Sequence, residues 1–169
     1  MKRNILTIIM MTITLLSCRG KEKMGFSDRD GLNKDMGDKI VKNINRKDTE
    51  ALYDLFSADS KKNVKDFKLD IKKLFSFCDG KIIHYEYQTS FMKTSIEKGK
   101  NSTEYHTVYN LVTDKQHYEL DYIYIVKNDF DVDSIGIRSL KIVTIENERK
   151  YRCFFEDFKD GIIIPEMMQ

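Results

Sequence analysis

Net charge is nearly absent from this chain: 29 lysines and arginines stand against 27 aspartates and glutamates, leaving +2 over 169 residues. A dedicated nucleic-acid binder carries a concentrated basic excess, so no nucleic acid is expected as a partner. Metal-binding signatures are missing too. There is no Cys-x-x-Cys pair and no His-Glu-x-x-His, and His84, His106 and His117 have no ligand spacing with any cysteine. Neither a metal site nor a cofactor is therefore expected. Proline occurs once and cysteine three times. The remainder, 41% apolar and 33% charged, suits one domain, since a chain of this size buries about 70% of its unfolded surface without needing metals or a disulfide framework.

Long apolar runs are also lacking. The apolar run Ile5 to Leu16 falls well short of the roughly 20 residues that span a bilayer as a helix. It follows Lys2 and Arg3 and closes on Leu15-Leu16-Ser17-Cys18, the basic, apolar, small-residue order of an export signal. Those last four residues resemble the lipobox of bacterial lipoproteins. The resemblance implies cleavage before Cys18, lipidation of that cysteine and a place on the extracytoplasmic side of the cell membrane. An ordinary cleaved signal or an uncleaved anchor is the alternative. Acyl chains contribute roughly 0.8 kcal/mol per buried methylene, and stable anchoring takes more than one. Residues 1–17 then read as signal peptide, 18–33 as a flexible tether with charges, glycines and no apolar period, and 34–169 as a single domain. Cys78 and Cys153 remain in the mature chain, either paired in the oxidising environment outside the membrane or packed as small buried hydrophobes.

Helical periods come first. Met36, Ile40, Val41 and Ile44 form one stripe. Asp48 is placed to cap a short helix carrying Ala51, Leu52, Leu55 and Phe56. A longer stripe of Val64, Phe67, Ile71, Leu74, Phe75 and Cys78 is flanked by a row of lysines, read as a solvated face, and Asp79-Gly80 ends it. After Gly80 the period changes to two. Lys81 to Gln88 begins the strands, Phe91 to Asn101 reads as a short strand or excursion, and Thr103 to Thr113 and Gln116 to Lys127 flank Asp114-Lys115 as a hairpin. Ser134 to Ile145 is the next strand, and Gly161 to Pro165 an extended tail. The order predicts an α+β fold, with N-terminal helices packed on a curved antiparallel sheet.

The hairpin register follows if Thr113 faces Gln116. Leu111 then faces Tyr118, Tyr109 faces Leu120, Thr107 faces Tyr122 and Tyr105 faces Tyr124. The tyrosines share one face, expected beneath the helices. His106, Glu119 and Asp121 fall on the other face, expected in water among Val108, Val112, Ile123 and Ile125. That apolar strip requires a cover. The Cys153 to Phe158 segment and the tail are one candidate, and a second copy of the chain, giving a homodimer through the sheet, is the other.

Helices followed by such a sheet resemble the nuclear-transport-factor-2-like (cystatin-like) cone. The run Ile44 to Ser57 (INRKDTEALYDLFS), with Phe75 to Ile82, Thr113 to Tyr118 and Gly161 to Glu166, is similar to an uncharacterised family of Gram-positive lipoproteins. The resemblance implies the cone and the lipid anchor, and no activity. A chamber lined by Tyr53, Tyr105, Tyr109 and Tyr122 would suit a small amphipathic ligand, ordinary core packing being the plainer reading. With the acids in water no catalytic residue is expected. The alternative is a small enzyme: a one-residue slip of both strands turns Asp121, His106 and Glu119 inward, where desolvation favours acid and base chemistry.

Overall fold

The computed structural model describes residues 26–148 and 159–165. Cys18 and its lipobox, and the Cys153 to Phe158 segment, lie outside the described residues. Helix α1 (Phe26–Arg46) buries the expected stripe of Met36, Ile40, Val41 and Ile44. It starts well before residue 34, so the segment expected to be a tether is helical from Phe26. A polar anchor accounts for part of this. The Asn33 carbonyl accepts the Tyr122 hydroxyl at 2.7 Å, and the Asn33 amide donates to Ser90 Oγ at 3.3 Å. No apolar period announces such contacts.

Helix α2 (Thr49–Asp54) starts as expected, with the Asp48 carboxylate accepting the Ala51 N–H at 3.0 Å. The longer stripe forms α4 (Phe67–Phe77), but its first member, Val64, stands outside the helix: it is extended, closing the separate helix α3 (Ala58–Asn63), and Asp66 is left-handed at φ 60°. Bonds to the sheet fix the link between α2 and α3: Ser57 N–H donates to the Ile137 carbonyl, Ile137 N–H to the Leu55 carbonyl, and Ser60 Oγ to the Arg138 carbonyl. Gly136 permits that approach, since a Cβ there would stand 2.7 Å from the Ser57 nitrogen.

Five strands follow: β1 (Ile82–Glu97), β2 (Lys100–Thr113), β3 (His117–Asn128), β4 (Gly136–Thr144) and, after the short helix α5 (Ile145–Glu148), β5 (Gly161–Ile163). They form an open, curved sheet in the order β1-β2-β3-β4-β5, antiparallel except for the parallel β4–β5 pair. The excursion expected over 91–101 is the continuation of β1, joined to β2 through Lys98 and Gly99 at φ 50° and 80°. The central register is the expected one, with Tyr105 opposite Tyr124, Thr107 opposite Tyr122, Tyr109 opposite Leu120 and Leu111 opposite Tyr118. Tyr109, Leu111, Tyr118, Leu120 and Tyr122 pack with Ile40, Leu52, Ile71 and Leu74 in the core. Cys78 joins them as a free thiol that burial pushes up to about 11. No helix among the described residues is long and apolar enough to cross a membrane.

Candidate functional site

The tyrosines on the helical side are tightly packed. Tyr109 and Tyr122 are fully buried with rings stacked at 6.2 Å between centroids. The α1 backbone presses on the first of them: a Cβ at Gly37 would come within 2.5 Å of the Tyr109 ring. Burial raises the Tyr109 hydroxyl to about 12 and drives Tyr122 higher. Tyr105 is buried on the same face. Tyr53 belongs to another neighbourhood, edge-on to Phe67 at 5.6 Å with the Lys61 and Lys68 ammonium groups each 4.9 Å from its ring centre.

The opposite face departs from expectation. His106, Glu119 and Asp121 lie on it as the register requires, but not in water: His106 is 7% exposed and Asp121 6%, with Glu119 partly buried. Lys141, the cross-strand neighbour of Asp121 on β4, is only 3% exposed. Ile123, Ile125, Ser139 and Val143 beside them are buried as well, so both faces of the central sheet are covered. Alternation of polar and apolar residues reports which residues share a face, and not whether that face meets solvent. Of the apolar strip, Ile123 and Ile125 are buried and Val108 and Val112 half-buried.

The polar groups converge. Asp121 Oδ1 stands 2.6 Å from His106 Nε2, and its Oδ2 is 3.2 Å from Lys141 Nζ, which is 3.9 Å from Glu119 Oε1. Three strands supply the group: His106 from β2, Glu119 and Asp121 from β3, Lys141 from β4. Sequence reasoning missed Lys141. Its signal was a cation set directly between Leu140 and the apolar pair Ile142-Val143.

His106 also lines a pocket of about 320 Å³ on this face. Phe91, Met92 and Ile123 make its apolar wall, and Lys93, Glu104 and Arg138 its charged rim. Lys93 Nζ is 3.6 Å from Glu104, and Arg138 Nε is 3.3 Å from Asp160, so both cations have nearby carboxylates. An imidazole set between this space and a buried carboxylate can hold a polar group of a ligand and can exchange a proton with it.

Elsewhere, the carboxylates of Asp59, Asp131 and Asp133 have oxygens within 4.8 Å of one another. A hydrogen bond with Asp131, together with its negative charge, raises the Asp59 carboxyl above its usual range. The group is largely exposed and nothing further marks it as a metal site.

A family profile described as "Domain of unknown function (DUF5104)" matches residues 39–147. The match spans β1 to β4, and with them the pocket and the charged group behind it. No curated protein matches the chain.

Proposed function

The chain belongs to the DUF5104 family, a domain of unknown function, and we propose that it is a lipid-anchored binding domain on the extracytoplasmic side of the cell membrane. Its ligand is a small amphipathic molecule held in the pocket beside His106. Cys18 carries the anchor, with 1–17 removed as signal peptide. Helices followed by a curved sheet support the cone arrangement expected from the sequence, with the tyrosine side filled by its own rings and the ligand taken on the other side.

One observation carries the binding reading. The pocket combines an apolar wall of Phe91, Met92 and Ile123 with a single imidazole backed by a carboxylate. Ligand sites are generally of this kind, mostly apolar with a few directed polar groups. The test uses the amphipathic fluorophore anilinonaphthalene sulfonate with the full chain in detergent. Saturable binding is expected, weakened by Ile123→Trp, which fills the space, and by Phe91→Ala at its mouth. Binding unchanged in both variants would refute the site.

A second reading, a small acid–base enzyme, is favoured by one feature. Burying Lys141, Asp121 and His106 costs desolvation, and apolar residues of similar volume would often serve stability as well or better. The group has reason to be there if His106, oriented by Asp121, exchanges a proton with the bound molecule. A molecule recovered unchanged from the purified protein supports binding, and a converted one supports catalysis.

A further inference from the structure

Two loops meet at one end of the sheet: the β1–β2 turn through Lys98 and Gly99, and the loop that carries the chain from β3 to β4. Asn101 and Asp129 tie them together, the Asn101 N–H donating to Asp129 Oδ2 at 3.0 Å and the Asp129 N–H to the Asn101 carbonyl at 2.9 Å. Lys100 Nζ lies 5.8 Å from the centre of the Phe130 ring. Apolar side chains stand out at this end. Ile96, paired with Asn101, is 75% exposed, Val132 71% and Phe130 45%. Single exposed apolar residues are ordinary, but three on two joined loops form a patch.

The chain enters the domain from the direction of the same end. On α1, the Asn45 side chain is bonded to Ile82 at the start of β1, whereas Asn33 is bonded to Ser90 and Tyr122 midway along their strands. Traced back from Asn45 to Asn33, the helix therefore heads toward the β1–β2 turn, which begins roughly 23 Å beyond Ser90. Cys18 and Gly31 are 13 positions apart, a length of chain that reaches roughly 45 Å at full extension. A lipid on Cys18 thus keeps the bilayer within reach of both loops.

We propose that Ile96, Phe130 and Val132 enter the surface of the bilayer that holds the anchor, standing the sheet on its loop end. The orientation rests on the lipid at Cys18 proposed above. Lys93 and Glu104, at the rim of the pocket, then stand roughly 13 Å from the membrane-facing turn, where an amphipathic ligand can pass between pocket and lipid. Charge does not drive the contact. Residues 96–100 and 127–133 hold three lysines against four carboxylates. Two of the carboxylates are already engaged: Asp129 lies 3.3 Å from Lys127, and Asp131 Oδ1 accepts the Asp133 N–H at 3.1 Å. Burial of the apolar side chains in the boundary between headgroups and acyl chains remains as the driving force, so the contact should persist at high salt.

The test uses the full lipidated chain in phosphatidylcholine vesicles that contain a phospholipid with a nitroxide at a shallow acyl position. A bimane fluorophore is attached through Lys98→Cys at the turn, or through Lys115→Cys at the opposite end, roughly 45 Å away along β2, each in a Cys153→Ser background. The probe at position 98 is expected to be quenched and the probe at 115 not, in low and high salt alike. Ile96→Ser/Val132→Ser, at positions too exposed to carry the fold, should bring quenching at 98 down to the level at 115 with an unchanged melting temperature. Quenching at 98 that survives the double variant would overturn the proposal, because the tether alone then brings the turn near the lipid. So would an unquenched probe at 98 on a chain that mass spectrometry shows to carry lipid at Cys18, as expected if a protein partner takes the patch. A chain without that lipid would overturn the anchor itself, and the orientation with it.

Discussion

The Asp121 carboxylate bridges two buried partners, with one oxygen 2.6 Å from His106 Nε2 and the other 3.2 Å from Lys141 Nζ. Through it an imidazole at the pocket wall is tied to an ammonium group on the next strand. Stability and ligand recognition meet at this residue.

Removing the cation should show how tightly the group is coupled. Lys141→Met leaves Asp121 and Glu119 near one another without their shared cation, and breaking a buried pair in this way costs about 3–5 kcal/mol. Lys141→Met/Asp121→Asn should recover a large part of that loss. Denaturant unfolding of the two single variants and the double variant measures the coupling. Additive losses would mean that the groups do not interact.

Two glycines of the same helix should respond with opposite signs. Gly31 is exposed with nothing within 4 Å of a built Cβ, so Gly31→Ala should stabilise by up to about 1 kcal/mol through helix propensity. At Gly37 the Cβ meets the buried Tyr109 ring at 2.5 Å, and overpacking of about 1–3 kcal/mol outweighs the same gain. Thermal melts should rise for the first and fall for the second, with Gly37→Ala/Tyr109→Leu recovering part of the fall.

Alkaline pH should unfold the domain through its tyrosines. Burial raises Tyr109 to about 12 and Tyr122 beyond it, whereas the unfolded phenols ionise near 10. The folded state thus keeps protons that the unfolded state loses. The stabilisation is fully present below pH 10 and falls as pH rises toward 12, by about 2–3 kcal/mol for Tyr109 alone. Tyrosinate absorbance should show a late, cooperative phase coincident with loss of circular dichroism. A single phase near pH 10 with the fold intact would contradict the packing.

Local chemistry was legible in the sequence where it acted alone. The Asp48 cap, the Gly80 stop and the pairing of Tyr109 with Leu120 depend on neighbours in the chain or on strict alternation. The separate helix α3 ahead of Val64 was not legible, because its start is tied to β4 by bonds from Ser57 and Ser60 across more than 70 residues. The continuity of β1 was hidden by its irregularities, which disturb the period of two. At the candidate site, the sequence showed that His106, Glu119 and Asp121 share a face. That this face is covered, and that Lys141 completes the group, emerges only once β4 lies beside β3.

The most direct measurement concerns His106 itself. The chain has three histidines, and His84 and His117 are exposed, so the imidazole nitrogen spectrum of the labelled full chain is simple, and His106→Gln assigns the signal. Adding anilinonaphthalene sulfonate should shift the His106 resonances and leave the Tyr109 and Tyr122 ring signals in place. Movement of those tyrosine rings with His106 unchanged would contradict the account and locate binding on the helical side of the sheet.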